Sequence, residues 1–146
     1  DDLSKMPTYY IMNKHQNMPE TVNDFMPDKN QISNCTWLTE DEINVYVENY
    51  SKTTFQGGLN WYRSSVDIDN LLKLSKYKLS QILIPSIFIA GNKDWGTFQK
   101  PGSIKKMESI MQNFEGVNLI NDAGHWVQQE RPFEVVNLIL RFLENK

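Results

Sequence analysis

Apolar residues fall into two regimes along the chain, and the change between them comes at about residue 82. Ahead of it they recur at helical spacing among many polar positions and prolines. Pro7, Pro19 and Pro27 stand too close together for long helices to run between them, which predicts short helices joined by loops over 1–36. Thr39-Glu40-Asp41-Glu42 supplies an N-cap and a glutamate placed to reach back to it. Ile43, Tyr46, Val47 and Tyr50 follow on one face, so the spacing predicts a helix over 39–50. Gly57 and Gly58 are expected to break the chain. Leu59, Trp61, Tyr62 and Val66 then return it to a short helix, followed by a polar linker.

From Ile82 the pattern becomes that of a sheet. Ile82 to Ala90 is a nearly continuous apolar run ended by Gly91-Asn92, as expected of a strand covered on both faces, with Pro85 near its entrance where a missing donor costs least. Ile104, Met107, Ile110, Met111 and Phe114 mark one face of a helix predicted from near Pro101 to just before Gly116. Val117, Leu119 and Ile120 predict a second strand. A last helix opens at Pro132, and Phe133, Val136, Ile139, Leu140 and Leu143 offer an apolar face suited to lying on a sheet. Strand, loop, helix, strand, loop, helix is the alternation of an α/β sheet with crossover helices. Two strands alone do not make such a sheet, which leads to the expectation that further strands precede Asp1 in a longer protein.

Composition narrows the chemistry mainly by exclusion. The 146 residues carry a net charge of −3, with no excess of Lys and Arg to recommend a nucleic-acid partner. Cys35 is the one cysteine, which rules out an internal disulfide framework. With only His15 and His125 beside it, no structural zinc spacing can be written. Cys35 and His15 read as ordinary structural or surface residues. No apolar stretch approaches the roughly 20 residues that span a bilayer, and no signal-peptide pattern opens the chain, so the default expectation is a cytoplasmic protein without a membrane partner. The first residue is Asp1 rather than Met, which leaves open a targeting segment ahead of it.

In open α/β sheets the reactive groups sit on loops beyond the carboxyl ends of strands, and two candidates fall there. Asp94 follows the first strand in Gly91-Asn92-Lys93-Asp94-Trp95-Gly96, and His125 follows the second in Asp122-Ala123-Gly124-His125-Trp126. A carboxylate beside an imidazole fixes its tautomer and stabilises the imidazolium formed when the ring takes a proton. A loop aspartate is also a common capping residue and a lone loop histidine a common surface residue. Their placement after consecutive strands puts the catalytic reading on an equal footing with those plainer ones.

Three segments resemble the epoxide-hydrolase branch of the α/β-hydrolase superfamily: Thr54-Phe55-Gln56-Gly57-Gly58-Leu59-Asn60-Trp61-Tyr62-Arg63, Ile84-Pro85 through Asp94-Trp95-Gly96, and Gly124-His125-Trp126-Val127-Gln128-Gln129-Glu130-Arg131-Pro132. The resemblance runs from about Trp37 to the end, in the family's order. It implies the C-terminal portion of an α/β-hydrolase fold, residues 81–146, preceded by the rear part of a helical lid, residues 1–80. It further implies that Asp94 is the charge-relay acid, His125 the general base, and Tyr62 one of two lid tyrosines that hydrogen-bond the oxygen of a small apolar epoxide. No cofactor is called for. Trp61, Trp95 and Trp126 are candidates to line a substrate pocket, or ordinary packing aromatics.

The departures from the family pattern concern the other half of the machinery. No small-x-nucleophile-x-small elbow, no His-Gly-x-Pro oxyanion segment and no place for the first lid tyrosine is found; Tyr9 and Tyr10 stand in the wrong part of the lid. The aspartate that would form the covalent ester is therefore expected upstream, and the chain by itself is expected to be inactive. The alternatives are a haloalkane or haloacid dehalogenase using the same ester, an ester or lactone hydrolase with a serine in its elbow, and a non-catalytic fragment. The oligomeric state is left open.

Overall fold

A computed structural model describes residues 12–78 and 80–144. Tyr9 and Tyr10 lie outside the described residues. The elements in chain order are α1 (Met18–Asn23), α2 (Lys29–Ser33), α3 (Glu40–Thr53), α4 (Gln56–Val66), α5 (Ile68–Ser75), β1 (Ser86–Gly91), α6 (Trp95–Phe98), α7 (Ser103–Ile110), β2 (Phe114–Ile120), α8 (Val127–Glu130) and α9 (Pro132–Glu144). The chain divides into two compact units. One comprises residues 1–37, 87–104 and 117–146, and the other 38–86 and 105–116.

The helices of the 38–86 segment start where the sequence supplies a cap. The Thr39 hydroxyl accepts from the Glu42 N–H at 3.3 Å, and the Glu42 carboxylate accepts from the Thr39 N–H at 2.7 Å and its hydroxyl at 2.8 Å, so α3 begins in a capping box. These donors hold the exposed Glu42 carboxyl below the usual carboxylate range. The break expected at Gly57 and Gly58 falls earlier. Thr54 takes a φ of 57°, ending α3, and α4 runs unbroken through both glycines. A Cβ at either glycine would meet nothing within 4 Å, so neither marks a close approach. The expected polar linker is α5, capped by the Asp67 carboxylate, which accepts from the Asn70 N–H at 2.9 Å.

The two strands pair in parallel. Ser86 donates to the Asn113 carbonyl and Asn92 to the Ile120 carbonyl, both at 3.0 Å, so partner numbers rise together. The strand expected to begin at Ile82 instead becomes regular at Ser86. Ile82 makes an isolated parallel bridge with Met111, and Pro85, with no N–H to give, separates that bridge from the ladder. Through the same bridge the helix expected to reach Gly116 ends at Ile110. Gln112 is drawn into donating to the Ile82 carbonyl at 2.9 Å, and Phe114, predicted on a helix face, starts β2. Gly116 stops no helix; it is a strand residue with φ 106°, a conformation that glycine takes without a Cβ penalty.

The core of the strand-bearing unit is small. Ile120, Ala123 and Val135 are buried, with Ile89, Val127 and Leu138 packed against them. The apolar face expected of α9 is therefore the wrong one. Val135 and Leu138 turn toward the strands, whereas Phe133, Val136, Ile139, Leu140 and Leu143 stand exposed. A two-stranded sheet offers a narrow apolar surface, which the Val135 and Leu138 pair fills.

Two glycines make this packing testable. A Cβ on Gly91 would sit 2.1 Å from the Ala123 carbonyl oxygen and 2.4 Å from that of Gly124, so Gly91→Ala is expected to destabilise the chain by about 1–3 kcal/mol in a urea unfolding experiment. Gly58→Ala, in open space within a helix, is expected to stabilise by roughly 0.5–1 kcal/mol. Equal effects of the two substitutions would contradict this account of the β1 end.

Candidate active site

The end of β1 and the end of β2 are stitched together before any reactive group is reached. Lys93 donates its backbone N–H to the Ala123 carbonyl at 2.9 Å, and Ala123 is fully buried. The Asn92 side chain bridges to the second loop twice, donating to the Asn121 side-chain oxygen at 3.0 Å and accepting from the Asp122 N–H at 3.0 Å. These bonds hold the β1–α6 and β2–α8 loops in a fixed pair, one carrying Asp94 and the other His125.

Asp94 caps α6, the plainer of its two sequence readings, and the same carboxylate also lies beside His125. One carboxylate oxygen accepts from the Gly96 N–H at 2.8 Å as the N-cap of α6; the other accepts from the Thr97 hydroxyl at 3.3 Å. That second oxygen also lies 3.2 Å from Nδ1 of His125. The Asp94 side chain is 12% exposed and that of His125 63%, so the acid is held inside while the ring faces outward. When Nδ1 carries the proton given to Asp94, Nε2 keeps its lone pair and is the basic position.

The pair opens onto a cleft of about 330 Å³, whose apolar walls include Phe88, Ile89 and Val127 and whose polar walls include Thr97 and Gln128. Trp126 is about half exposed and sets its ring edge-on to His125 at 5.5 Å between centroids, and Trp95 is half-buried on α6; Phe88 and Val127 rather than these tryptophans supply the apolar lining. Tyr62 and Trp61 stand on α4, in the other unit, 71% and 77% exposed. Cys35 is half-buried and His15 exposed. Among the described residues no group of three His, Cys, Asp or Glu side chains could hold a metal ion, and no helix is long and apolar enough to cross a membrane.

Sequence reasoning passed over the residues that hold the two loops. Thr97 three places after Asp94 is the spacing of a cap and could have been found that way. Glu130 and Arg131 stand in the quoted Gly-His-Trp block, but their partners are backbone groups, which leave no trace in a residue pattern. Lys93 and Asp122 form an exposed ion pair at 2.7 Å between the same loops, with Asp122 at a φ of 54°. The Lys93 ammonium, first by hydrogen bond and then by charge, holds the Asp122 carboxyl below the usual aspartate range.

Comparison with known proteins gives one consistent direction. No family model matches the sequence. The chain is 34% identical over 108 residues to epoxide hydrolase B of Mycobacterium tuberculosis, covering 73% of this chain and 30% of that protein. It is 38% identical over 109 residues to epoxide hydrolase A of the same organism, covering 73% and 32%. It is 34% identical over 121 residues to mouse bifunctional epoxide hydrolase 2, covering 82% and 20%. The chain thus spans about a third or less of the length of these curated relatives. Among solved structures, potato epoxide hydrolase I superposes with a TM-score of 0.74 at 26% identity, over 92% of this chain and 41% of that one. Of the readings the sequence left open, these relatives favour the epoxide hydrolase over the dehalogenase and esterase.

Asparagine tolerates the left-handed backbone at 122, so Asp122→Asn removes the charge alone. A depressed native pKa stabilises above the unfolded value and is lost as pH falls through the native one. The wild type is therefore expected to exceed the variant in urea midpoint above roughly pH 5, with the gap closing below about pH 4 and shrinking in high salt. A gap that widens on acidification would contradict the role given to Lys93.

Proposed function

We propose that this chain, a member of the epoxide-hydrolase branch of the α/β-hydrolase superfamily, supplies the acid and the base of an enzyme that adds water to an apolar epoxide. The observation that carries this is the 3.2 Å contact between Asp94 Oδ2 and His125 Nδ1, made by a sheltered carboxylate and an outward-facing ring beside a partly apolar cleft. The nucleophile is an aspartate of the same protein upstream of this chain. Residues 1–80 belong to the lid and 81–146 to the catalytic core.

The steps follow from the residue types. The upstream carboxylate attacks a ring carbon, the carbon–oxygen bond breaks, and the leaving oxygen takes the Tyr62 phenol proton. A phenol O–H donates a hydrogen bond to an oxygen on which negative charge is forming. The product is a hydroxy ester on the enzyme. His125 Nε2 then removes a proton from water, the hydroxide attacks the ester carbonyl, and the acyl–oxygen bond breaks to release the diol and restore the carboxylate; the imidazolium proton returns through solvent to the Tyr62 phenolate, which regenerates both groups. Asp94 stabilises the imidazolium at Nδ1 during that step. Trp61, Trp95 and Trp126 are the aromatic side chains proposed to contact the apolar substrate.

In the intact protein, His125→Asn is expected to leave ring opening in place and block ester hydrolysis. The intact-mass spectrum should gain a species heavier by one epoxide, while diol release falls by roughly 10²–10⁴. Tyr62→Phe is expected to slow ester formation by roughly 10²–10³. Unchanged diol release in either variant would remove that residue from the mechanism, and a wild-type protein that forms no ester with any epoxide would remove the function.

A further inference from the structure

We propose that Glu130 is a positioning residue for His125, acting through the backbone on either side of it. One oxygen of its carboxylate accepts the Gly124 N–H at 2.7 Å and the other accepts the Trp126 N–H at 3.1 Å. The two donors flank the histidine in sequence, so a single half-buried carboxylate fixes the 123–124 and 125–126 peptide planes, one on each side of the residue that carries the imidazole. Gly124 leaves room for this: a Cβ there would stand 3.1 Å from the nearer Glu130 oxygen, tighter than ordinary contact. Arg131 extends the grip, its guanidinium donating to the Glu130 carbonyl at 2.9 Å and to the Asp122 carbonyl at 3.1 Å. The loop is thereby held at 122, 124 and 126, and residue 125 is the one whose side chain reaches across to Asp94.

The chemistry requires a carboxylate. Two backbone N–H groups converge on it, and only a carboxylate offers both an acceptor oxygen on each side and a negative charge. A glutamine has the same shape but turns an NH₂ toward one of the donors. The contact between His125 and Asp94 is a single bond at the ring's edge; it aligns the ring and leaves the backbone free to shift. Glu130 restrains that shift, which makes it a positioning residue rather than a catalytic one. This inference rests on His125 being the base, although its geometry can be tested without turnover.

The test is amide hydrogen exchange and imidazole ¹⁵N shifts by NMR on the full chain, wild type against Glu130→Gln and Glu130→Ala. In Glu130→Gln one of the Gly124 and Trp126 amides is expected to keep its protection and the other to exchange roughly ten- to a hundredfold faster; in Glu130→Ala both exchange faster by that factor. The His125 ring shifts are expected to move away from the Nδ1–H tautomer in both variants, while the β1 and β2 amides keep wild-type protection. Unchanged exchange at Gly124 and Trp126, or unchanged ring shifts, overturns the proposal. So does loss of strand protection in Glu130→Gln, because Glu130 would then serve the whole fold. If the variants behave as expected and the wild-type intact protein turns over no epoxide, the assignment of His125 as base fails while the positioning role stands.

Discussion

Two parallel strands must end side by side before a carboxylate on one loop can touch an imidazole on the other. Adjacent strands lie about 4.8 Å apart, which is close enough for short side chains just past their ends to meet. Here that adjacency depends on the backbone of Gly91 lying against the Ala123 and Gly124 carbonyls, where no side chain would fit. Asn92 and Lys93 then bond across to residues 120–123, and Asp94 arrives with its direction already set.

From that point the Asp94 carboxylate and the His125 loop are each held by further partners. Asp94 is turned by the cap of α6 and the Thr97 hydroxyl, so little of its orientation depends on His125. The histidine loop is gripped at its backbone by Glu130 and Arg131. Fixing both partners independently means that the acid–base contact need not supply its own ordering entropy, the usual requirement for a preorganised site. The imidazole is left exposed on a loop whose backbone is bonded on either side of it.

The distribution of burial suits a chain that spans a third or less of its curated relatives. The buried apolar residues described are four small or medium side chains, Ala90, Ile120, Ala123 and Val135, and three of them surround the second strand's end. No described residue of α3, α4 or α5 is buried. The local geometry of the site therefore comes from hydrogen bonds and caps more than from a large packed core.

Much of this was legible in the sequence. The capping box at Thr39, the apolar run ending in Gly91, the helix at Pro132, and the placing of Asp94 and His125 after consecutive strands all follow from local rules that neighbouring residues enforce. Three things were decided only by tertiary contact. The bridge between Ile82 and Met111 ended α7 early and sent Phe114 into a strand, because a long-range backbone bond overrides helical spacing. The face of α9 that packs is chosen by the width of the sheet it meets, a quantity absent from its own periodicity. And the supports of Asp94 and His125, above all Glu130, act on backbone N–H groups that every residue but proline possesses; a sequence names the side chain that can accept them, while only the fold brings the donors to it.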